Sequence, residues 1–484
     1  MKKFLSFVFA LSSFVYAEEK LPNIVYILAD DMGYGDVQIL NPEKGKIPTP
    51  AMDKLAKDGM IFTDAHTCSS VCTPTRYGLL TGRYNWRTTK QRGVLSGTSG
   101  PLIPTTRTTV AKVLKDAGYH TAMVGKWHLG LGLPKQGKSL DWKGTITKGP
   151  VDLGFDYWYG ISASLDFPPY IYIHNNKFVG EATAKKAFHR PGAAEPSFEA
   201  VEVLDELEKK SIEFIQQQHG EKPYFLYIPL TSPHTPIVPS EEWKGKSGLG
   251  DYGDFMMQTD AVIGKIIEAV DASESAENTM IIVTSDNGCA KKAEIPDLIS
   301  KGHYPNAQFR GKKMELWDGG HRVPHIVRWP AVVKAGSSSD EIICLNDFMA
   351  TCSEITGRAL KDNEGEDSVS FLPALKGEKI VTERKGIVHH SYTGKFAYRS
   401  GKWKLILAKG SGGLDDGLTK EEMAAAPKGQ LYDMENDESE TKNLYTEKPE
   451  VVEKLLTMLE YEVKQGRSTP GEPQKNDAKK VKIW

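Results

Sequence analysis

Continuous apolar runs alternate with amphipathic stretches over the first two thirds of the chain. Asn23-Ile24-Val25-Tyr26-Ile27-Leu28-Ala29 is apolar at every position after the first, which fits a strand buried on both faces. Asp30 and Asp31 follow at once, at the C-terminal end of the strand, where open α/β sheets build their sites. Pro50 to Gly59 has the spacing of a short amphipathic helix closed by glycine, and Thr75 to Leu80 opens a second. Thr106 to Ala117 repeats apolar residues at helical intervals up to Gly118, and Tyr119 to Val124 reads as the next strand. The alternation continues with a helix over Val203 to Gln218, a buried strand over Tyr224 to Leu230 and a helix over Asp254 to Val270. A strand over Thr279 to Thr284 then runs into Ser285-Asp286-Asn287-Gly288. Between the 130s and the 180s neither period holds, and this Gly-, Pro- and aromatic-rich stretch reads as substrate-side loops.

Strands alternating with helices predict an α/β fold: a large, mostly parallel sheet sandwiched by helices. Acidic or amide residues close three of its strands, which is the arrangement of a metal site. Near residues 357 to 368 the composition shifts to Gly, Lys, Asn, Asp and Glu, placing a domain boundary at about residue 360. Short strand candidates follow at Gly386 to His390, Lys395 to Arg399, Trp403 to Ala408 and Gln430 to Asp433, with a helix over Glu450 to Lys464. They predict a smaller C-terminal antiparallel α+β domain over residues 361–484. Arg467 to Lys482 is polar and reads as an ordered wrap or a loose tail.

Charge and composition narrow the picture. The chain's 61 basic and 63 acidic side chains give a net charge of -2, which argues against a nucleic-acid or general polyanion binder. With 39% apolar and 26% charged residues, collagen, coiled coil, disulfide scaffold and wholly disordered chain are excluded. Lys2 and Lys3, an apolar Phe4 to Phe14, and Val15-Tyr16-Ala17 read as an export signal over residues 1–17. That run is too short to span a bilayer, and Glu18, not a cysteine, directly follows Ala17. A periplasmic or secreted protein with no stable membrane anchor is expected, its main domain over residues 18–360. Five cysteines, Cys68, Cys72, Cys289, Cys344 and Cys352, leave at least one unpaired. Cys344 and Cys352 could pair, although spacing does not decide it.

Cys72 stands in a motif. Cys72-Thr73-Pro74-Thr75-Arg76, followed by Gly78-Leu79-Leu80-Thr81-Gly82-Arg83, resembles the signature of the type I, formylglycine-dependent sulfatases. Further segments match that family in order. Asp30-Asp31-Met32-Gly33 and Ser285-Asp286-Asn287-Gly288 resemble its two metal-binding segments, Lys126-Trp127-His128 its Lys-x-His segment, and Ser232-Pro233-His234 its middle histidine motif. Lys312-Lys313 and Gly319-Gly320-His321-Arg322 resemble its lysine and Gly-Gly-x-Arg segment, and Gly401-Lys402-Trp403-Lys404 its C-terminal domain. The resemblance spans about residues 21 to 471 and is nearest the arylsulfatase A and N-acetylgalactosamine-6-sulfatase group of the alkaline phosphatase superfamily. Asp318 departs from it, standing where the family commonly has Glu.

An alkaline phosphatase-like fold is implied, with Cys72 oxidised to formylglycine by a maturation enzyme. Hydrated to a geminal diol, that group attacks sulfur through one hydroxyl and is regenerated by deprotonation of the other, which a plain cysteine or serine does not allow. Asp30, Asp31, Asp286 and Asn287 offer hard oxygen ligands that suit calcium or magnesium better than copper or zinc. The resemblance favours Ca2+ over Mg2+ and adds position 72 to the ligands. It also places Arg76 and Lys126 beside the diol, where cations stabilise an ionised oxygen. We read His128 as the base for the second hydroxyl. His234 and Lys313 contact the sulfate and the leaving oxygen, either one serving as the acid.

Asp166, Tyr170, His174 and His303 are the substrate-binding candidates, the first three in a loop whose mixture suits sugar hydroxyls and ring faces or, equally, core packing. His66, His389 and His390 carry no assignment beyond a structural one or an approach to the cleft. These readings converge on hydrolysis of sulfate esters, exo-acting on a short sulfated oligosaccharide. Two rivals remain: a phosphate or phosphonate monoester hydrolase of the same fold, disfavoured by Cys72 and the single-metal ligand set, and a non-catalytic sulfated-glycan binder.

Overall fold

Alternate side chains of the strand Asn23–Ala29 enter two separate cores. Ile24, Tyr26 and Leu28 pack on one face, and Val25, Ile27 and Ala29 on the other, all fully buried. The strand sits inside a ten-stranded sheet of a computed structural model that describes residues 20–415 and 417–484. The export signal expected over residues 1–17 lies outside the described residues. From edge to edge the strands are Ser337–Ser339, Met60–Phe62, His325–Arg328, Thr279–Ser285, Asn23–Ala29, Tyr224–Pro229, His120–Lys126, Tyr157–Ile161, Ile173–His174 and Lys177–Phe178. The five from Thr279–Ser285 to Tyr157–Ile161 are mutually parallel.

Helices cover both faces. Pro50–Lys57, Val203–Gln216 and Asp251–Asp271 bury Met52, Leu55, Leu207 and Ile263 against Val25 and Ile27. Cys72–Thr81, Val110–Asp116 and Phe348–Thr356 bury Leu79, Leu80, Leu114 and Phe348 against Ile24 and Tyr26. The α/β reading is therefore the observed fold, with the sheet mixed at its edges. His325–Arg328 runs antiparallel to both of its neighbours, and Tyr157–Ile161 is a strand within the stretch read as loops. Its Gly160 and the glycines and prolines around it hid an aromatic strand signal.

One boundary matters for chemistry. The helix expected to open at Thr75 begins at Cys72, because Pro74 occupies its first turn, where a missing N–H removes no helical bond. Cys72 therefore lies at the positive end of a ten-residue helix.

The C-terminal sheet is fully antiparallel, in the order Ile387–His390, Phe396–Ser400, Trp403–Ile406, Gln430–Asp433. Helix Pro449–Gln465 covers it through Val452, Leu455 and Leu459. The polar end of the chain is an ordered wrap: Arg83 bonds the Lys475 carbonyl and Asp477, each at 3.1 Å. All five cysteines are free and buried, so Cys344 and Cys352 form no disulfide. No helix among the described residues is long and apolar enough to cross a membrane.

A fully buried ion pair joins the two sheets' regions. Arg87 grips Asp367 through two bonds of 2.8 and 2.7 Å and reaches the Glu462 carbonyl at 3.2 Å. Removing one partner strands a buried charge, so Asp367→Ala is expected to cost about 3–5 kcal/mol. Chemical denaturation followed by circular dichroism checks this; a shift under ~1 kcal/mol would show the pair to be dispensable.

Candidate active site

In-register parallel pairing brings several strand ends to one edge of the sheet. Ala29 pairs with Ser285 and Leu28 with Pro229, so Asp30-Asp31, Asp286-Asn287 and Ser232-Pro233-His234 emerge side by side. The neighbouring strand ends at Lys126. Gly125 lets it enter: its φ is +138°, and a Cβ there would meet the Pro229 carbonyl oxygen at 2.0 Å.

Eight of the predicted residues meet around Cys72. Its Sγ lies 3.4 Å from Asp30 Oδ1 and 3.6 Å from Lys313 Nζ. Lys126 Nζ donates to Asp30 Oδ2 at 2.5 Å, and Lys313 Nζ to Asp31 Oδ1 at 2.5 Å. Arg76 donates twice to Asp286 Oδ2, at 2.9 and 2.8 Å, and once to the Lys126 carbonyl at 2.9 Å. Asn287 Nδ2 donates to Asp31 Oδ1 at 2.8 Å, and His234 Nε2 stands 3.8 Å from Asp31 Oδ2. Asp31 adopts φ +70°, a left-handed conformation that aims its carboxylate inward beside that of Asp30.

Three carboxylates thus face three cations in a largely buried site. Burial opposes ionisation of Asp30, yet Lys126, His234, Arg76 and Lys313 hold its carboxyl well below the usual range. Burial and the neighbouring Asp30 push Asp286 upward, against Arg76. Burial, with Asp286, pushes the Cys72 thiol well up, against Lys126 and Lys313. Lys313 is held above its ordinary value by Asp31 and Cys72 in spite of burial.

The donor set fits a hard divalent cation. Ligand atoms of Asp30, Asp31, Cys72 and His234 lie within 4.8 Å of one another. Asn287 Oδ1 is buried with no hydrogen-bond partner, an orphaned oxygen that a cation would satisfy. Oxygen predominates over sulfur and nitrogen in this set, which disfavours a soft metal.

His128 packs beside the start of the helix, its carbonyl accepting from Thr73 Oγ1 at 3.0 Å. Its Nε2 lies 2.8 Å from the Leu95 carbonyl oxygen, which fixes the proton there and leaves Nδ1 bare, buried and unpartnered. Burial, then Lys126 and Arg76, depress its pKa well below the ordinary histidine value, so the ring is neutral.

Above the cluster lies a cavity of about 470 Å³, lined in part by Asp31, Asp166, His189, His234, Lys292 and Lys313. Asp166 is buried and paired with Arg190. Tyr170 does not line this cavity: its ring is buried against Phe188 and Phe198, and its hydroxyl donates to the Arg190 carbonyl at 2.5 Å. His303 is likewise structural, fully buried, with Nε2 2.8 Å from Asp36 and Nδ1 accepting from the Lys46 amide at 3.1 Å. His174 lies exposed at the sheet edge beside Tyr157. His189, Arg190 and Lys292 belong to no motif, and the sequence offered no signal for them.

Comparison with known proteins shows the family. A family model described as "Sulfatase" matches residues 22–358. N-acetylgalactosamine-6-O-sulfatase of Bacteroides thetaiotaomicron is 35% identical over 482 residues, covering 91% of this chain and 92% of that protein. N-acetylgalactosamine-6-sulfatase of Mus musculus is 31% identical over 376 residues, covering 74% and 67%. A solved structure from a study of glycosaminoglycan metabolism by Bacteroides thetaiotaomicron superposes with a TM-score of 0.81 at 32% identity, over 92% of this chain and 99% of that one. The chain belongs to the sulfatase family and is a sulfuric ester hydrolase.

Proposed function

We propose that this enzyme removes sulfate from the end of a sulfated oligosaccharide, acting on one terminal sugar outside the cytoplasm. One observation carries the reading: nucleophile position, oxygen donors and three buried cations converge beneath a cavity of about 470 Å³. The substrate class draws on the relative named an N-acetylgalactosamine-6-O-sulfatase, aligned over 91% of the chain. A 6-O-sulfated N-acetylhexosamine is therefore the first substrate to try.

Asp30, Asp31, Asp286, Asn287 and position 72 would hold a calcium ion, which supplies fixed positive charge for the sulfate oxygens. Formylglycine at position 72, made by a maturation enzyme, supplies a hydroxyl nucleophile and a second hydroxyl that allows the aldehyde to return. The chain's own groups do the rest. Asp30, Asp31 and Asp286 are already matched one for one by Arg76, Lys126 and Lys313. A divalent ion therefore leaves the site net positive, as a sulfate monoester requires. Arg76 and Lys126 hold negative charge at position 72. His128, neutral with a bare Nδ1, accepts a proton at that atom. His234 and Lys313 border the cavity and are the two proton donors on hand for the leaving oxygen. Asp166, His189 and Arg190 bind sugar hydroxyls.

Peptide mass spectrometry of protein co-produced with a maturation enzyme is expected to show aldehyde in place of thiol at Cys72, with sulfate release from N-acetylgalactosamine 6-sulfate. Cys72→Ala should lower kcat by more than about a thousandfold. Full conversion without release from any sulfated monosaccharide would sink the small-substrate reading and point to polymers or to phosphonates. A third case, no conversion under maturation conditions, would favour the glycan-binding alternative.

Lys126→Ala should cost about 10²–10³ in kcat, the scale of one lost charge contact in the transition state. An unchanged kcat would remove Lys126 from the chemistry. Chelation should abolish turnover, with calcium restoring it better than zinc; restoration by zinc alone would overturn the hard-ion assignment. Asp166→Ala should raise KM while leaving kcat within about threefold, as expected for a substrate-holding group. Equal losses in kcat and kcat/KM would move Asp166 to the reacting centre.

A further inference from the structure

Behind the segment leading into Cys72, three histidines come together with no exposed surface: His66, His321 and His389. One ring nitrogen from each lies within 4.8 Å of those of the other two. Their remaining nitrogens meet acceptors. His66 Nε2 is 2.6 Å from Asp64 Oδ1, His321 Nε2 is 3.0 Å from the Leu316 carbonyl oxygen, and His389 Nδ1 is 3.0 Å from the Thr67 carbonyl oxygen. A carboxylate or carbonyl oxygen needs an N–H opposite it, so Asp64 and Thr67 fix the protons of His66 and His389 on those nitrogens, whereas His321 Nε2 also faces the Lys404 ammonium at 3.1 Å and either tautomer of that ring finds a partner.

Bare lone pairs are left on His66 Nδ1, on His321 Nδ1 in the tautomer that carries its proton on Nε2, and on His389 Nε2. The first two face each other at 3.0 Å, and the third is buried without a hydrogen-bond partner.

We infer that His66, His321 and His389 bind a divalent transition-metal ion, zinc first, at a site separate from the oxygen-donor cluster of Asp30 and Asp31. Neutral imidazole nitrogens suit zinc and its neighbours. Donation of the second ring N–H to a carboxylate or carbonyl, present at all three rings, is the usual outer arrangement of metal-bound histidine. Tetrahedral zinc with Zn–N of about 2.0–2.1 Å sets its ligand nitrogens ~3.3 Å apart, near the 3.0 Å of the His66–His321 pair. The His321 and His389 rings stack with centroids 3.7 Å apart and 9° between planes, so one ring tilts to share the ion.

The surrounding charges balance. Asp64, Asp318 and Glu440 stand against Arg322, Arg399 and Lys404. Lys404 lies 3.1 Å from His321 Nε2; Asp318 at 2.6 Å and Glu440 at 2.8 Å take two of its three N–H groups, and ion binding requires the third to turn from that nitrogen. Such an ion ties three parts of the chain: the strand just before Cys72, the segment after Lys313, and the C-terminal sheet. This inference does not rest on the proposed substrate. Its rival is a metal-free cluster in which Lys404 donates to His321 Nε2 and His321 Nδ1–H donates to His66.

The test uses full-length protein stripped with chelator, dialysed into excess calcium to fill the oxygen-donor site, then equilibrated with zinc and washed. Elemental analysis should find one zinc per chain in wild type and in Cys72→Ala, and none in His66→Gln or His389→Gln. X-ray absorption at the zinc edge of the wild type, which needs no folded variant, should show three imidazole nitrogens. Wild type without bound zinc, an oxygen-only shell, or unchanged zinc content in the histidine variants would overturn the site.

Discussion

Three carboxylates removed from water at one edge of a sheet set the terms for this structure. Asp30, Asp31 and Asp286 are essentially inaccessible, and a buried, unpaired carboxylate is too costly to persist. Each is met by a cation from a different segment: Lys126 from a neighbouring strand, Lys313 from a loop, Arg76 from the helix that starts at Cys72. Arg76 also bonds the Lys126 carbonyl, so the helix is oriented by the strand ends it faces. The pairing has a chemical consequence: it places position 72 within reach of both carboxylates and ammonium groups before any ligand arrives. Preorganisation of this kind spares reorganisation during reaction.

The smaller sheet takes part in holding the site. Ser69 bridges to His390, the Met314 amide donates to the Ser70 carbonyl, and Lys404 reaches Asp318 across the junction. Leu414 and Asp415, from a loop of the same C-terminal region, border the cavity. Asp318, shorter than the glutamate usual at its position in the family resemblance, still contacts both Lys404 and Arg322. The main sheet presents the reacting groups, and the second sheet closes the wall behind Cys72.

Much of this was legible in the sequence where local chemistry repeats a strict pattern. Ile24 to Ala29 announces a doubly covered strand because every position must be apolar, and Asp30 and Asp31 break that rule at one point. Cys72, Pro74 and Arg76 lie within five residues, so their joint placement needs no tertiary information. Tyr157–Ile161 was missed because Gly160, which admits the Gly125 carbonyl, looks like a loop signal; a Cβ there would meet that oxygen at 1.8 Å. Tyr170 and His303 were misjudged for a different reason. An aromatic or histidine in a loop suits sugar binding and core packing equally, and only the fold reveals that Phe188, Phe198 and Asp36 surround them. Arg190 and His189 depend on how a loop folds back over Asp166, which no spacing records.

The environment of Cys72 opposes a resting thiolate at this position. A reactive cysteine needs thiolate, and the helix N-terminus with two nearby ammonium groups would favour it. Here burial wins, aided by Asp286 and Asp30, and the thiol is pushed well above its ordinary pKa. Strengthening the cations would not cure this, because Lys126 and Lys313 are already engaged by Asp30 and Asp31. A thiolate would bring a further negative charge that offsets half of the net positive charge a divalent ion leaves here. A neutral hydroxyl nucleophile avoids that charge in the ground state and develops it only during attack, where a bound cation and Arg76 can meet it. The carboxylate-rich site that suits a hard cation therefore opposes a resting thiolate, and the formylglycine proposed for position 72 would satisfy both demands.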